Sequence, residues 1–413
     1  MSAAAARRLL VRDLAQVVSP SGREAPLRGK ALGELDLLEH AYVLCAGGTI
    51  EAVGRMADLP PLDGEIEELD GSELCAIPGL VDCHTHACFA GDRVEEFSLR
   101  AAGAGYEELH AAGGGILATV RATRAAGEQA LTEAVERHRG WLLHAGTTTF
   151  EAKSGYGLDR ETELAQLRAI RAAGGIPTFL GAHAVPPEHA DADAYLDFVL
   201  AEVLPEAALL AEAADVFLER GAFDAAQARR YLEACRDAGL ALRLHGDQFT
   251  EAGAIALAIE LGARSVDHLE ATGPDGVRTL AASRVAAVLL PASALFLGRP
   301  LPPARALVAS GAAIALATDF NPGSAFCESL PLVASLAATQ LRLAPAEALA
   351  ACTVNAAHVL GRGDRLGRLA PGYAADITLL DAPDWRYLAY HLGGEVVAGV
   401  VKDGAALWRR RAY

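Results

Sequence analysis

Ile77-Pro78-Gly79-Leu80-Val81-Asp82-Cys83-His84-Thr85-His86 reads as a short apolar strand that ends in two histidines flanking a threonine. In an extended chain, side chains two positions apart share a face, so both imidazoles can address one ion. Alone, such a pair carries little weight, because two surface histidines have the same spacing. Its weight comes from the strands further along the chain. Ile77 to Asp82 is the first of eight strand-like segments, the others being Thr147 to Glu151, Pro177 to Ala182, Asp215 to Leu218, Leu240 to Leu244, Ser265 to Asp267, Val285 to Leu290 and Ala313 to Ala317. Amphipathic stretches rich in Ala, Leu and Arg separate them. Eight alternating β and α elements predict an α/β chain with a parallel sheet closed into a (β/α)8 TIM-like barrel. An open doubly wound sheet competes less well, since no Gly-rich phosphate turn follows the first strand.

Polar side chains gather where these strands end. The first runs into His84 and His86, the second into Glu151 and Lys153, and the third into His183. The fourth meets Glu219, the fifth His245, the sixth His268 and the eighth Asp319. Barrel enzymes do their chemistry at that face. Imidazole suits zinc or iron, and a carboxylate completes a site that leaves room for water. The remaining histidines fall mostly in helical or loop segments and form the background.

Outside residues 76–360 the pattern changes. Ala41 to Val53 reads as a hairpin about Gly47-Gly48. Short strands return at Ala375 to Leu380, Val396 to Val401 and Ala405 to Trp408. Residues 1–75 and 361–413 are therefore expected to combine into one small β-rich domain, with the acidic stretch Asp63 to Asp70 as a connector. The longest connection, from about Thr85 to Ala145, includes a predicted helix at Ile116 to Arg124 and is placed to cover the active site.

Composition excludes other classes. With 36 Lys+Arg against 53 Asp+Glu, the net charge of -17 repels nucleic acid and anionic membrane. The basic tail Arg409-Arg410-Arg411 is too short to reverse this. No apolar run reaches the roughly 20 residues of a membrane span, and the apolar part of the N-terminus is short for a signal peptide. A cytoplasmic protein is the expectation. Seven cysteines, none in a C-x-x-C pair, predict reduced thiols. Strand alternation should turn Cys83 away from its histidine neighbours. Assembly is open, with a homodimer as the common case among soluble oligomers.

Pro78 to His86 resembles the first-strand signature of the amidohydrolase superfamily. Longer strings narrow the resemblance to its imidazolonepropionase family: Ala90-Gly91-Asp92-Arg93 with Glu96-Phe97, Ala112-Gly113-Gly114-Gly115-Ile116-Leu117 with Thr119 to Arg124, Lys153-Ser154-Gly155-Tyr156-Gly157-Leu158, Gly181-Ala182-His183, and Ala317-Thr318-Asp319 with Asn321-Pro322-Gly323-Ser324. The resemblance implies one divalent or trivalent metal ion, zinc or iron, on His84, His86, His245 and Asp319, with His268 beside it. It implies a small anionic heterocyclic substrate, 4-imidazolone-5-propanoate of histidine degradation, opened by water to N-formimidoyl-L-glutamate. Binuclear relatives use a carboxylated lysine from the fourth strand; Lys153 follows the second, which favours one metal.

The residue chemistry fits. Hydrolysing a ring amide at neutral pH needs a nucleophile, and a metal lowers the pKa of the water it binds to about 7. Asp319 can accept the proton and return it to the leaving nitrogen, and His268 can stabilise the oxyanion. Arg93 offers a planar fork for the propanoate carboxylate, or else pairs with Glu95 or Glu96. Tyr156, His183, Asn321, Gly323 and Ser324 resemble the family's substrate contacts, although Tyr156 alone could be a loop anchor and Gly323 a turn. Three residues after His245 stands Gln248, where the family carries an acid or an amide. An amide can orient substrate or water but cannot serve as a base, which shifts proton transfer to Asp319. A deaminase or another cyclic-amide hydrolase on the same barrel would use the same ligands, and a barrel that had lost its chemistry would be expected to lose them.

Overall fold

The computed structural model describes residues 8–103 and 114–409. Residues 1–7, His110, Ala112 and Gly113 of the glycine motif, and Arg410 and Arg411 lie outside the described residues. Two eight-stranded sheets organise the chain. The first collects β1 (Arg8–Pro20), β2 (Leu35–Ala46), β3 (Thr49–Arg55), β4 (Glu67–Asp70) and β5 (Cys75–Pro78) from the N-terminal side. The second holds β6 (Leu80–Asp82), β7 (Thr147–Lys153), β8 (Ile176–Ala182), β9 (Ala213–Leu218), β10 (Ala241–Gly246), β11 (Ser265–His268), β12 (Ala286–Leu289) and β13 (Ile314–Leu316), each parallel to the next. The first sheet is then completed by β14 (Ile377–Leu380), β15 (Val397–Lys402) and β16 (Ala405–Arg409). Both termini thus build one sheet beside the barrel.

The barrel strands read as apolar because both faces are buried. On β10, Leu242 and Leu244 join the large cluster under the helices, while Arg243 and His245 point the other way, into the barrel. On β12 and β13 the inward set is Ala286, Val288, Ala313 and Ala315, which pack with Val81 and Cys83 in a separate apolar cluster. Cys83 is therefore among small apolar neighbours. All the cysteines are free.

Closure of the barrel brings its two ends together at the chemistry. Thr85 and Phe320 form a parallel bridge just above β6 and β13. The His86 amide donates to the Phe320 carbonyl at 2.9 Å and the Asp319 amide to the His84 carbonyl at 3.0 Å. Below them Thr318 Oγ1 donates to Asp82 Oδ2 at 2.6 Å. Residues more than two hundred positions apart become neighbours this way.

Several expectations are corrected. The first strand is not continuous: Ile77 and Pro78 belong to β5 of the terminal sheet, and only Leu80 to Asp82 enter the barrel. The change of sheet falls at Gly79, where a Cβ would stand 2.3 Å from Thr148 Oγ1. Only glycine permits that approach. Half of the Asp63 to Asp70 connector is strand β4, which pairs parallel with β1, and β1 itself was not foreseen. The helix expected at Ile116 to Arg124 extends over Ile116–His144, broken at Gly127. We number it α2, after α1 (Val94–Ala101), and call the helix following β7 α3 (Arg160–Ala172). Among the described residues, no helix is long and apolar enough to cross a membrane.

Candidate active site

Four of the strand-end side chains converge. His84 Nε2 and His86 Nε2 stand 3.5 and 3.4 Å from Asp319 Oδ1, and His86 Nε2 is 3.2 Å from His245 Nε2. All four residues are buried. His268 closes one side, its ring centroid 5.2 Å from that of His245 and 5.7 Å from that of His84.

The residues behind them settle which imidazole nitrogens face inward. His84 Nδ1 lies 2.6 Å from Asp267 Oδ2, and His245 Nδ1 lies 3.0 Å from Asp215 Oδ2. A carboxylate behind Nδ1 holds the proton there and leaves the Nε2 lone pair free. Burial, with Lys153 next, holds His84 well below the usual histidine range; burial and His183 do the same for His86. Both rings are neutral, the state that binds metal.

Beneath the histidines lies an ionic layer that the sequence pattern had only half disclosed. Arg243 Nη2 meets Asp267 Oδ2 at 2.8 Å and its Nη1 meets Glu151 at 3.2 Å. Lys153 Nζ meets Glu151 at 2.7 Å and Asp215 at 3.0 Å. Burial opposes charge on both cations, but Asp267 and Glu151 keep Arg243 protonated, and Glu151 and Asp215 keep Lys153 so. Asp215 is driven well below the carboxylate range, its burial outweighed by His245 and Lys153. Asp215, Asp267 and Arg243 were missed as site residues. The available signal was a charge at an inward position of an apolar strand: Arg243 is two residues before His245.

These atoms fit a metal ion. Donors about 2.1 Å from one ion and tetrahedrally arranged stand about 3.4 Å apart, and the His84–Asp319, His86–Asp319 and His86–His245 contacts of 3.5, 3.4 and 3.2 Å match that spacing. The His84 Nε2 atom is buried with no hydrogen-bond partner, and lone pairs facing one another at 3.2 Å repel unless a cation or proton lies between them. His84, His86 and Asp319 form one metal-competent group, and His84, His245 and His268 another.

Tyr156 and His183 form a wall beside the histidines. His86 stacks on His183 at 5.2 Å, with Tyr156 5.9 Å from His86 and 5.3 Å from His183. Phe217, which was not foreseen, extends this aromatic side to 6.3 Å from His183. On the opposite loop, Asn321 Oδ1 accepts from the Gly323 and Ser324 amides, while its Nδ2 donates to the Asp319 carbonyl and Ser324 Oγ. Asn321 thus shapes the loop that carries Asp319. Ser324 Oγ reaches Asp319 Oδ2 at 3.5 Å. Arg93 pairs with Glu96, Nε to Oε2 at 2.8 Å, and Glu96 also accepts from the Gly115 amide at 2.7 Å. The other edge of Arg93 lies against Gly323, where a Cβ would come within 2.0 Å of Nη1. Gln248 is buried on the loop after β10. Glu219 is no ligand: it accepts from the Phe249 and Thr250 amides and the Thr250 hydroxyl, and so anchors that loop. A cavity of about 540 Å³ lined by Thr148, Ile176, Arg365 and Lys402 opens at the opposite strand ends, away from these groups.

The amidohydrolase family pattern matches residues 75–407. A protein of Rubrobacter xylanophilus named imidazolonepropionase is 64% identical, covering 97% of this chain and 98% of its own. One of Chloroflexus aggregans with the same name is 48% identical over 96% and 97%. The chain belongs to the imidazolonepropionase family. As a member of that family it is a hydrolase acting on a carbon–nitrogen bond of a cyclic substrate, and its histidine and aspartate cluster binds a metal ion. The fold recurs in an adenosine deaminase of Xanthomonas campestris with bound zinc, at TM-score 0.69 and 19% identity over 96% and 92% of the two chains. It recurs again in a triazine hydrolase of Arthrobacter aurescens, at TM-score 0.72 and 19% identity over 98% and 95%.

Proposed function

We propose that this pocket hydrolyses 4-imidazolone-5-propanoate to N-formimidoyl-L-glutamate with one metal ion, zinc or iron, held by His84, His86, His245 and Asp319. The observation that carries the reading is the chain of contacts at 3.2–3.5 Å that joins three imidazole nitrogens and one carboxylate oxygen, His84 to Asp319, Asp319 to His86 and His86 to His245. The two cations and three carboxylates of the ionic layer, with Asp319 added, lack two positive charges, which favours a divalent ion. A bound ion supplies Lewis acidity and a water acidic enough to attack at neutral pH.

The chain's own residues do the rest. Burial pushes the Asp319 carboxyl up in the metal-free site. Asp319 takes the proton of the attacking water. The water oxygen bonds to the ring carbonyl carbon, that carbon–nitrogen bond breaks, and Asp319 returns the proton to the departing nitrogen. Burial lowers the His268 pKa, but Glu270, 3.5 Å away, outweighs it and leaves the ring raised above the ordinary value. His268, with Glu270 behind its Nδ1, is placed to donate through its other ring nitrogen to the carbonyl oxygen as charge develops. Gln248 orients substrate or water, and Tyr156 and His183 pack against the ring.

Arg93 holds the propanoate. Glu96 is held below the usual carboxylate range, its burial outweighed by the Arg93 hydrogen bonds and the Gly115 amide, and it presents the guanidinium with one edge still unengaged by Glu96. Arg93→Gln is expected to raise KM by roughly 10–100-fold, the value of a charge-assisted hydrogen bond, with a smaller change in kcat. A KM within twofold of the parent would remove Arg93 from the substrate's carboxylate.

The same reading places the enzyme in the cytoplasm, with neither nucleic acid nor membrane as partner, and makes a homodimer the assembly to check by sedimentation. The direct test monitors imidazolonepropanoate by its ultraviolet absorbance, with and without a chelator. Consumption that stops on chelation and returns with zinc or iron is expected. Release of ammonia from purines or pyrimidines, with imidazolonepropanoate untouched, would overturn the reading.

A further inference from the structure

Helix α3 carries two buried polar side chains one turn apart, Glu163 and Gln166. Both are committed to the loop that precedes the helix. The Gly155 amide donates to both Glu163 oxygens at 3.0 Å, and the Gly157 and Leu158 amides donate to Oε1 at 2.9 and 2.8 Å. Between them the Tyr156 amide donates to Gln166 Oε1 at 3.3 Å. Four consecutive amides therefore end on two side chains of one helix. Gln166 Nε2 also donates to the Cys88 carbonyl at 2.7 Å, two residues past His86, and so ties the loop to the segment that follows the first barrel strand.

Glu163 meets these amides where Glu151, Asp215 and Asp267 of the ionic layer meet arginine or lysine. Its hydrogen bonds replace part of the water lost on burial, which still pushes the carboxyl up to about 7. They also hold Leu158 at a φ of 52°, a left-handed conformation that such a side chain rarely adopts without being held. The loop carries Tyr156, and its Gly155 carbonyl lies 2.9 Å from His183 Nδ1. A proton kept on Nδ1 leaves His183 Nε2 as an acceptor. One anchor thus sets both a ring position and a tautomer.

We propose that Glu163 and Gln166 are positioning residues for substrate: by holding residues 155–158 they place Tyr156 and His183, and so determine how tightly the small anionic heterocycle is bound. This rests on the reading that Tyr156 and His183 line the substrate pocket. Neither anchor touches the four metal ligands, so binding and metal content separate.

Steady-state kinetics on the metal-loaded enzyme test it with Glu163→Gln, Gln166→Met, Tyr156→Ala and the double variant Glu163→Gln/Tyr156→Ala. Glu163→Gln is expected to raise KM about tenfold, the value of a hydrogen bond to a charged group, with kcat and metal per chain close to the parent. In the Tyr156→Ala background the same change should add less than about twofold, because coupled positions are not additive. A fall in kcat and metal content with KM unchanged overturns the proposal. So does a Glu163→Gln effect that multiplies fully with Tyr156→Ala. If Tyr156→Ala alone leaves KM unchanged, the underlying pocket reading fails instead. Should Glu163→Gln yield no folded protein, Gln166→Met, which removes the Tyr156 amide contact alone from the loop, decides by the same KM and kcat criteria.

Discussion

Asparagine in place of Asp319 is expected to lower kcat by about 10³-fold, the scale of losing a positioned acid–base group, and to weaken metal binding as well. The substitution is close to isosteric. Asp319 sits at a φ of 57°, a conformation that aspartate and asparagine tolerate better than most residues, so the backbone should hold. What changes is charge. The Oδ1 atom loses the anion that stands 3.4 and 3.5 Å from two imidazole nitrogens, and the side chain can no longer carry a proton from water to the leaving nitrogen. Turnover under saturating metal separates the two losses. If excess zinc or iron restored kcat to within tenfold of the parent, Asp319 would be a ligand only, and the proton would have to travel by another route.

The site was legible in the sequence to the extent that its chemistry sits at strand ends. His84, His86, His245, His268 and Asp319 each stand at or just past the end of a strand-like segment, and a polar group that recurs in that position needs only local pattern to be noticed. Asp215, Asp267 and Arg243 were harder, because they lie within strands and acquire meaning only from their partners. Asp267 matters because β10 and β11 run side by side and bring it to Arg243 and His84. That register is a long-range fact. The need for glycine where the first strand splits, at Gly79, is of the same kind, since it comes from the side chain of Thr148 in the neighbouring strand. The strand β1 escaped notice because its pairing with β2 is interrupted between Val11 and Leu14, which breaks a simple alternation. Arg93 shows the limit from the other side: a pair with Glu96 and a hold on substrate are compatible with one geometry.

Arg243→Met is expected to destabilise the fold by about 3–5 kcal/mol, the cost of removing one partner from a buried ion pair. Methionine fills much of the volume, so lost packing should be minor. The electrostatic loss is not. Among the described residues, Asp267 and Glu151 would remain buried with Lys153 as their only nearby lysine or arginine cation, and Lys153 touches Glu151 but has no close contact with Asp267. Asp267 is also the group behind His84 Nδ1 at 2.6 Å. An uncompensated carboxylate there would hold the proton on that nitrogen more tightly or move to find another donor, and either change disturbs the ligand on its far side. Metal affinity should therefore fall by about 10–100-fold, as is common for groups that orient metal ligands. Denaturant unfolding of the metal-free protein measures the first effect and metal titration the second. Stability within about 1 kcal/mol of the parent, with metal affinity intact, would mean that the layer beneath the histidines rearranges freely. Its geometry argues otherwise, because Lys153 is already engaged by Glu151 and Asp215, and among the described residues no other lysine or arginine besides Arg243 pairs with Asp267.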